Sequence, residues 1–549
     1  MGSRPAWCGC RRFRFLRHVR CDRPVLNMQR RQLLQLAASS AALLALPKTG
    51  WAKQKWFHDP FSLGIASGSP TSDSVVLWTR LGPQAIEAAN LTHRATPVVW
   101  QVAHDESFSK VVAKGTVQAE PSLAHSVHAE VTGLAADRHY FYRFIAGDAV
   151  SQTGRTRTFP RSDSTPGRLR LAYASCQQWG NGYYSAYRHM LGEDLDVVMF
   201  LGDYMYEYPS SRPVDIRPTT GGWITTLEGY RSRYALHKSD RDLQAIHAAF
   251  PWIMTWDDHE VQNDYAGTRQ GESGPPVADF MARRAAAYQA YYEHMPVRRA
   301  DFAQIIGKSG ENTRIFGATS YGRLANLYLL DDRQFRDPQV CTNGNRPGAS
   351  RINPKDCEQL NQPWRTLLGQ EQEGWLKRQF EHSQAQWNIL GQQTLLGRRN
   401  FNTDGGVRLW NDGWDGYPAA RQRLIDSMQS TRLSNPVVFG GDVHENWVGH
   451  ILKDYEDQNS AKIGVEFCGT SITSLSHTSQ NKIEQIRAVN PHFIFANAEY
   501  RGYGVAEFTA KSLTTTLKAV KDATDPGSDS FTLAQFTVQA GQPEILKIT

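Results

Sequence analysis

Apolar and polar residues alternate over short segments between Phe61 and Phe159. The segments are VVLWTR, TPVVWQVAHD, KVVAKGTVQ, HSVHAEVTGL and HYFYRFIAG, and Gly, Pro or Asp residues separate them. Alternation of this kind indicates half-buried strands, and about seven strands in roughly 100 residues are typical of an immunoglobulin-like or fibronectin-like sandwich. The pattern predicts an all-β sandwich domain over residues 57–160, in which no cluster of His, Cys or carboxylate residues indicates chemistry.

The pattern changes after a polar linker at residues 160–168. Strand-like apolar runs now alternate with longer helical patterns, which predict helices over Asp279–His294 and Gln370–Ser383. Near the carboxyl terminus, VAEFTAKSLTTTLKAV and FTLAQFTVQ favour strands over a helix. Because strands alternate with helices, residues 168–549 are predicted to form an α/β domain.

Five apolar runs of this second domain end in residues that can bind a metal or a phosphate. They end at Cys176, at Asp203, at Asp257, Asp258 and His259, at Asp331, Asp332 and Arg333, and at Asp442 followed by His444. In open α/β sheets ligands bind outside the carboxyl ends of the strands, so these side chains are expected to converge. Without the other strand ends, Asp203 and Tyr206 would be better explained by an Asp that caps a turn and a packed aromatic ring than by a metal site.

The residue types at these strand ends indicate metal chemistry. A thiolate together with a phenolate favours a strongly acidic metal such as ferric iron, whereas Asp and Asn oxygens suit Ca²⁺, Mn²⁺, Mg²⁺ or a second transition metal. Two metals bridged by one carboxylate would hold a phosphoryl group between them. They would also lower the pKa of a bound water, so that hydroxide becomes available as a nucleophile.

The basic charge of the chain lies in its first 52 residues. The whole chain carries +7, whereas residues 1–52 hold ten Lys or Arg and one Asp, which leaves about −2 for the remainder. We therefore expect no stable nucleic-acid partner. Arg30 and Arg31, a short apolar stretch from Leu33 to Leu46 and small residues up to Ala52 match a twin-arginine (Tat) export signal. The apolar stretch is too short for a membrane anchor, and Met28 is a better initiator than Met1.

Four cysteines follow the leader. Cys341 and Cys357 flank a loop rich in Asn, Gly, Pro and Arg, and a disulfide between them suits an oxidising compartment. Cys468 closes the apolar run IGVEF and is expected to be a small buried side chain. Cys176 is the cysteine at a predicted site.

Seven segments resemble, in the same order, the motifs of the PhoD-like alkaline phosphatases. They are PFSLGIASGSPTSDSVVLWTRL from Pro60, ASCQQWG from Ala174, GDYMYEY from Gly202, WDDHEVQND from Trp256, LDDRQFR from Leu330, WDGYPAAR from Trp414 and GGDVHENW from Gly440. The resemblance extends from about residue 57 to about residue 510. It implies a calcineurin-like metallophosphoesterase core, with two β-sheets flanked by helices, preceded by a β-sandwich domain. It also implies a GDxxY iron-binding motif similar to that of the purple acid phosphatases.

The resemblance implies Fe(III) together with Ca²⁺, where Mn, Mg or Zn could replace the calcium. Asp203 would bridge the metals, and the iron site would be completed by Cys176, Tyr206 and His444. The second metal would be bound by Asp258, Asn263 and Asp442. Many metallophosphoesterases have Gly-Asn where this chain has Asp257 and Asp258. Asp258 is the expected ligand because it precedes His259, which leaves Asp257 as a further ligand or a hydrogen-bond acceptor.

His259 is the expected general acid, because an imidazole beside the phosphoryl group can protonate the departing alkoxide. The alternative is a histidine that only orients a metal ligand. Arg333 and Arg336 offer guanidinium donors for the phosphate oxygens, although an ion pair between Arg333 and the neighbouring Asp332 is nearly as good an explanation. The resemblance places residues 410–415 at the rim of the pocket, while Tyr204 and Tyr208 are expected only to pack.

These observations predict an exported, monomeric phosphoesterase, periplasmic or secreted, that hydrolyses phosphate mono- and diesters by a metal-activated hydroxide and scavenges phosphate. The first alternative is a phospholipase D-like phosphodiesterase acting on lipid or polymer diesters. The second is a non-catalytic, calcium-stabilised surface-binding protein, which would have no use for Cys176. The expected partners are small-molecule or lipid phosphate esters and the Tat export machinery.

Overall fold

The computed structural model describes residues 54–210, 215–219, 221–302, 313–342, 348–457 and 459–549. The predicted leader, with its twin-arginine segment and Met28, lies outside the described residues. The residues from Gln54 to Thr549 belong to one compact unit.

Short strands dominate the chain before the linker. They are β1 (Ile65–Gly68), β2 (Val75–Arg80), β3 (Thr96–Ala103), β4 (Val111–Ala119), β5 (Ser126–Val131), β6 (His139–Ala146), β7 (Ala149–Val150) and β8 (Gly154–Arg157). After the linker follow β9 (Leu169–Ala174), β10 (Val197–Phe200), β11 (Pro251–Met254), β12 (Gly317–Tyr321), β13 (Ala325–Leu329), β14 (Arg351–Ile352), β15 (Trp387–Gly391), β16 (Leu409–Trp410), β17 (Pro436–Gly440), β18 (Asn446–Leu452), β19 (Lys462–Cys468), β20 (Phe493–Asn497), β21 (Arg501–Phe508), β22 (Ser512–Val520), β23 (Ser530–Gln539) and β24 (Ile545–Lys547).

Most helices follow the linker. The α-helices are α1 (Pro83–Ala88), α2 (Ser185–Met190), α3 (Leu227–Lys238), α4 (Arg241–Ala249), α5 (Phe280–His294), α6 (Arg299–Phe302), α7 (Gly369–His382), α8 (Pro418–Ser430) and α9 (Gln480–Ala488). Helices α5 and α7 confirm the two predicted helices, and β21 to β23 confirm the predicted carboxyl-terminal strands. The carboxylate of Asp279 begins α5 by accepting the Ala282 N–H at 2.9 Å. In the described parts of the chain, no helix is long and apolar enough to cross a membrane.

Two large sheets form the centre of the molecule. One has the strand order β24-β23-β22-β21-β9-β10-β11-β1-β2-β5, and the other has the order β12-β13-β15-β17-β19-β18-β20. Strands β9, β10 and β11 are parallel, as are β13, β15, β17 and β19. Every residue of β10 and of β17 is buried, as strands covered on both faces require. Their carboxyl ends therefore emerge from a rigid, fully packed interior.

The two sheets pack face to face, and helices cover their outer faces. Met199 and Leu201 from the first sheet share one apolar cluster with Ile389 and Phe439 from the second. Aromatic residues of α5 pack outside the first sheet, where the ring of Trp256 stacks on Tyr288 with 4.2 Å between centroids. Helices α7 and α8 cover the second sheet with another apolar cluster. This arrangement, together with the amino-terminal β region, confirms the predicted fold class.

The amino-terminal sandwich shares a sheet with the core. Strands β4, β3, β6 and β7 form a separate sheet, with β8 paired to β6. It packs through a common apolar cluster on β1, β2 and β5, which extend the ten-stranded sheet. The amino-terminal region joins the core where β1 pairs in parallel with β11, and Ser67 lies opposite Pro251 in this pair. The predicted division into domains at 57–160 and 168–549 stays a prediction.

Candidate active site

The predicted strand ends meet at one place, where both large sheets present their carboxyl ends. Five of the residues there have a left-handed backbone conformation, with φ between 58° and 63°: Cys176, Asp203, Asp264, Asp442 and His444. Residues other than glycine adopt this conformation at a cost of order 1–3 kcal/mol each. Such strain persists where the surrounding structure holds it, and it concentrates at functional sites.

The four residues predicted to bind iron lie together. Ligand atoms of Cys176, Asp203 and His444 all lie within 4.8 Å of one another. The Tyr206 hydroxyl donates to Asp203 Oδ2 at 2.9 Å and lies 3.2 Å from His444 Nε2. His444 Nδ1 is 3.0 Å from the Leu475 carbonyl oxygen, which can only accept, so Nδ1 carries the proton and Nε2 is left to bind a metal.

The thiol and the phenol of this group need a cation to ionise. Burial, reinforced by the nearby Asp203 carboxylate, raises the pKa of both Cys176 and Tyr206 well above their ordinary values. A bound metal reverses this effect, because coordination favours the anionic forms. The chemistry of the donors therefore fits a strongly acidic metal such as ferric iron.

Carboxylates form three further groups beside the first, and all three contain Asp258. Its partners are Asp203 and His259 in one group, Asp257 and Asp442 in the second, and Asp264 and Asp412 in the third, and the ligand atoms of each group lie within 4.8 Å of one another. Asp203 Oδ1, Asp257 Oδ2 and Asp258 Oδ1 are buried and have no hydrogen-bond partner. Burying a charged oxygen without a partner is costly, and a hard cation such as Ca²⁺ would remove this cost.

Asn263 lies at the same cavity as these carboxylates, as its predicted role requires. Its backbone N–H donates to Glu207 Oε1 at 2.9 Å, and its side-chain amide donates to Ser273 at 3.2 Å. The choice between Asp257 and Asp258 was open in the sequence. Asp258 lines the cavity and belongs to three of the four groups, whereas Asp257 belongs to one and binds the Arg333 guanidinium.

Glu207 holds the predicted general acid. The fully buried Glu207 accepts from His259 Nδ1 at 2.7 Å, and the ring of His259 packs on Tyr206 with 4.1 Å between centroids. Burial opposes protonation of His259, but the carboxylates of Asp203, Glu207 and Asp258 outweigh it and raise the pKa of His259 well above its ordinary value. In the metal-free protein these carboxylates therefore favour the protonated imidazole, the form that can donate a proton. Sequence reasoning did not single out Glu207, and its only signal was an acid next to the GDxxY motif.

Glu260 is a second residue that sequence reasoning missed. Its buried carboxylate accepts the backbone N–H groups of Asp203, Tyr204 and Asp257 at 3.2, 2.5 and 2.8 Å. It therefore joins the loop after β10 to the loop after β11. The two loops carry Asp203 and Asp258, which belong to one group of ligand atoms, so Glu260 helps to fix the distance between these two carboxylates.

The two predicted phosphate-binding arginines face carboxylates and not the open cavity. Arg333 is 1% exposed, binds Asp257 through Nε, and lies 2.5 Å from Asp412 and 3.0 Å from Asp442. The alternative pairing with Asp332 is absent, because neither Asp332 oxygen has a hydrogen-bond partner. Arg336 is equally buried and donates to the Asp412 carboxylate and carbonyl and to the Tyr265 carbonyl. Its Nε is buried without a partner, and Arg336 is not among the residues that line the cavity.

Replacing Arg333 with Met is expected to destabilise the metal-free protein by about 3–5 kcal/mol, because it leaves several buried carboxylates without their cation. The control is Arg161→Met, which removes an exposed ion pair with Asp163 that solvent screens, so it should unfold close to the wild-type temperature. Thermal unfolding in the presence of a chelator measures both variants. An Arg333→Met protein that unfolds at the wild-type temperature would contradict the assigned role.

Most members of these groups form the floor of a cavity of about 570 Å³, and Cys176, Tyr206 and Asp257 are buried next to it. Its walls carry the aromatic residues Tyr208, Trp223, Phe401 and Trp410 and the arginines Arg351 and Arg399. Of the predicted rim segment 410–415, Trp410 and Asp412 line the cavity, whereas Trp414 is buried behind it. Tyr208, expected only to pack, is part of the wall. The floor would hold metals and a phosphoryl group, and the walls would contact the rest of an ester.

Cys341 and Cys357 form a disulfide across 16 residues of sequence. The disulfide encloses strand β14, which pairs with β16 at the edge of the cavity. Cys468 and Cys176 are both buried, and neither forms a disulfide. The disulfide therefore closes a segment that forms part of the cavity wall.

Comparison with known proteins agrees with this geometry. A family model described as PhoD-like phosphatase matches residues 171–517, and a model described as PhoD-like phosphatase, N-terminal domain, matches residues 47–160. Alkaline phosphatase D of Bacillus subtilis (strain 168) is 44% identical over 496 residues, which cover 89% of this chain and 82% of that protein. The solved structure of PhoD matches with a TM-score of 0.84 and 43% identity, over 90% of this chain and 93% of that one. The chain therefore belongs to the PhoD-like phosphatase family and is a hydrolase of phosphoric esters.

Proposed function

We propose that this protein is an exported, metal-dependent phosphoesterase that hydrolyses phosphate mono- and diesters. One observation carries the proposal: a thiol, a phenol, an imidazole and several carboxylates converge at one cavity, where three buried carboxylate oxygens lack a hydrogen-bond partner. A structural calcium site would use the oxygens but has no need of the thiol.

Cys176, Asp203, Tyr206 and His444 would hold Fe(III), and Asp258, Asn263 and Asp442 would hold Ca²⁺, with Asp203 shared between them. When bound, the ions would withdraw charge from the phosphoryl group and make a water molecule acidic enough to act as the nucleophile. Asp264 and Asp412 complete a further acidic group next to Asp258 and extend the region in which a cation would be stable.

The remaining chemistry falls to residues of the cavity. His259 lies next to two metal-binding carboxylates and would donate a proton to the departing alkoxide oxygen. Glu207 holds the imidazole by Nδ1, so Nε2 is the nitrogen that faces the reacting group. The aromatic wall of Tyr208 and Trp223 lies on the side of His259, since Tyr208 is 5.4 Å from the imidazole and 6.0 Å from Trp223. This wall would contact the alcohol part of the ester.

Export and phosphate scavenging belong to the same proposal. The twin-arginine segment of the sequence supports a Tat route, and the Cys341–Cys357 disulfide suits an oxidising compartment. A Tat substrate folds before export and would bind its metals beforehand. We propose a monomer in the periplasm or outside the cell, which acts on small-molecule or lipid phosphate esters.

The test is metal analysis of protein exported by its native route, combined with assays before and after chelation. We expect iron and calcium in the protein, a visible absorption band, and loss of phosphate release after chelation. Assays on an aryl phosphate and on phosphatidylcholine in parallel separate a general phosphoesterase from a phospholipase D-like enzyme. Active protein that contains no metal would overturn the proposal.

Replacing Tyr206 with Phe is expected to shift or weaken the visible band and to lower the iron content, because a phenolate bound to ferric iron would contribute a charge-transfer band. Tyr208→Phe is the matched control, since it removes a neighbouring hydroxyl that is no part of the ligand group. Absorption spectroscopy and metal analysis measure both variants. An unchanged spectrum in the Tyr206→Phe protein would refute the iron assignment.

A further inference from the structure

Two arginines line the cavity, and they differ in how their charge is used. Arg399 is 7% exposed, and its Nη1 lies 2.9 Å from Glu445 Oε2. Arg351 is exposed, and within the described parts of the chain it forms no ion pair with a carboxylate. The charge of Arg351 is therefore left for a molecule that enters the cavity.

The position of Arg351 is fixed by its surroundings. Its guanidinium carbon lies 4.5 Å from the centre of the Phe401 ring, and that of Arg399 lies at the same distance from this ring. Arg351 is also opposite Trp410 in the antiparallel pair of β14 and β16. A guanidinium stacked on an aromatic ring keeps its N–H donors free at its edge. Because the fold already orders the Arg351 side chain, binding of a ligand loses less side-chain entropy.

Arg351 lies close to the acidic floor of the cavity. Two residues before it, the Ala349 N–H donates to Asp264 Oδ2 at 3.1 Å, and Asp264 belongs to the acidic group of Asp258 and Asp412. Two residues of extended chain span about 7 Å. A phosphoryl group on the floor and an anion at Arg351 would therefore be separated by one short linker.

We propose that Arg351 binds a second anionic group, phosphoryl or carboxyl, carried by the alcohol part of the substrate. The inference rests on the proposed function, and it names the substrate class: phosphate esters whose alcohol bears another anion. The guanidinium edge matches two oxygens of either group. No carboxylate of the described chain competes for this edge, whereas Arg399 is already neutralised by Glu445.

Binding of non-hydrolysable probes to the metal-loaded protein tests the inference. The probes are 4-carboxyphenylphosphonate, 1,4-benzenediphosphonate and, as the neutral counterpart, 4-carbamoylphenylphosphonate, measured by calorimetry. We expect Arg351→Met to lower the preference for a charged over the neutral probe about fivefold, equivalent to about 1 kcal/mol for an exposed charge pair. Arg351→Lys should retain part of the preference. Comparison of the two charged probes shows whether carboxyl or phosphoryl is favoured.

Arg143→Met is the matched control, because Arg143 also stacks on an aromatic ring, 4.0 Å from the centre of Phe108, but outside the cavity. It should keep the wild-type preference. A wild-type preference in Arg351→Met overturns the inference, as does the absence of any preference in the wild-type protein. Hydrolysis of the corresponding aryl phosphates separates the two proposals. If the charged probes bind better than the neutral one in a way that depends on Arg351, but the esters are not hydrolysed, the proposed function alone is refuted. If the esters are hydrolysed but the probes bind without this preference, the Arg351 site alone is refuted.

Discussion

Asp203→Asn is expected to lower kcat/KM at least about 10³-fold. Asp203 belongs both to the group of Cys176 and His444 and to the group of Asp258 and His259. An amide keeps the shape of the side chain but loses the charge that both metals would share. Metal ions contribute several kcal/mol to transition-state stabilisation, and a loss of about 4 kcal/mol corresponds to roughly 10³ in rate.

The charge of Asp203 is available at neutral pH. Burial alone would raise its pKa, but His259 and His444 hold the pKa of Asp203 at about 2. Asp529→Asn, an exposed carboxylate paired with Lys521, is the matched control and should keep wild-type kinetics. Steady-state kinetics and metal analysis are measured on both variants. If Asp203→Asn kept more than a tenth of the wild-type activity, Asp203 could not be the bridging ligand.

The ligands at the strand ends could be predicted because their signal is local. Each follows a buried apolar run, and parallel strands bring their carboxyl ends to one edge. The same loops explain the left-handed backbone of Cys176, Asp203 and Asp442, because a chain that leaves a buried strand and immediately presents its side chain to a neighbouring loop must turn sharply. Periodicity also predicted α5 and α7, whose apolar faces are set by residues within the helix.

Other features depend on contacts between distant parts of the chain. Arg333 was expected to bind phosphate, and three of its four carboxylate partners lie 76, 79 and 109 residues away, so no local pattern reveals them. Glu207 and Glu260 show the same difficulty, since each acts on a loop more than 50 residues distant. The shared sheet is a third case, because the pairing of β1 with β11 depends on strand order and not on alternation.

Replacing His259 with Asn is expected to lower kcat for alkyl phosphates by roughly 10²–10⁴-fold, the usual contribution of a general acid. The loss should be much smaller for a nitrophenyl phosphate, because its leaving group departs without needing a proton. Glu207→Gln should reproduce this dependence on the leaving group with a loss of about 10–100-fold, as expected for a carboxylate that orients a histidine. Glu207 is the only described carboxylate hydrogen-bonded to the imidazole.

The metal content of the variants distinguishes a general-acid role of His259 from the alternative in which His259 only orients a metal ligand. A general acid can be removed with the metals retained, so iron and calcium should stay at wild-type levels in His259→Asn and Glu207→Gln. An orienting residue would behave differently: its loss would lower metal content and slow alkyl and nitrophenyl esters equally. Equal losses on both esters would therefore refute the general-acid role, even if activity fell as far as expected. The ratio of the two rates is the decisive measurement, because loss of a proton donor slows the ester with the poorer leaving group more than the ester with the better one.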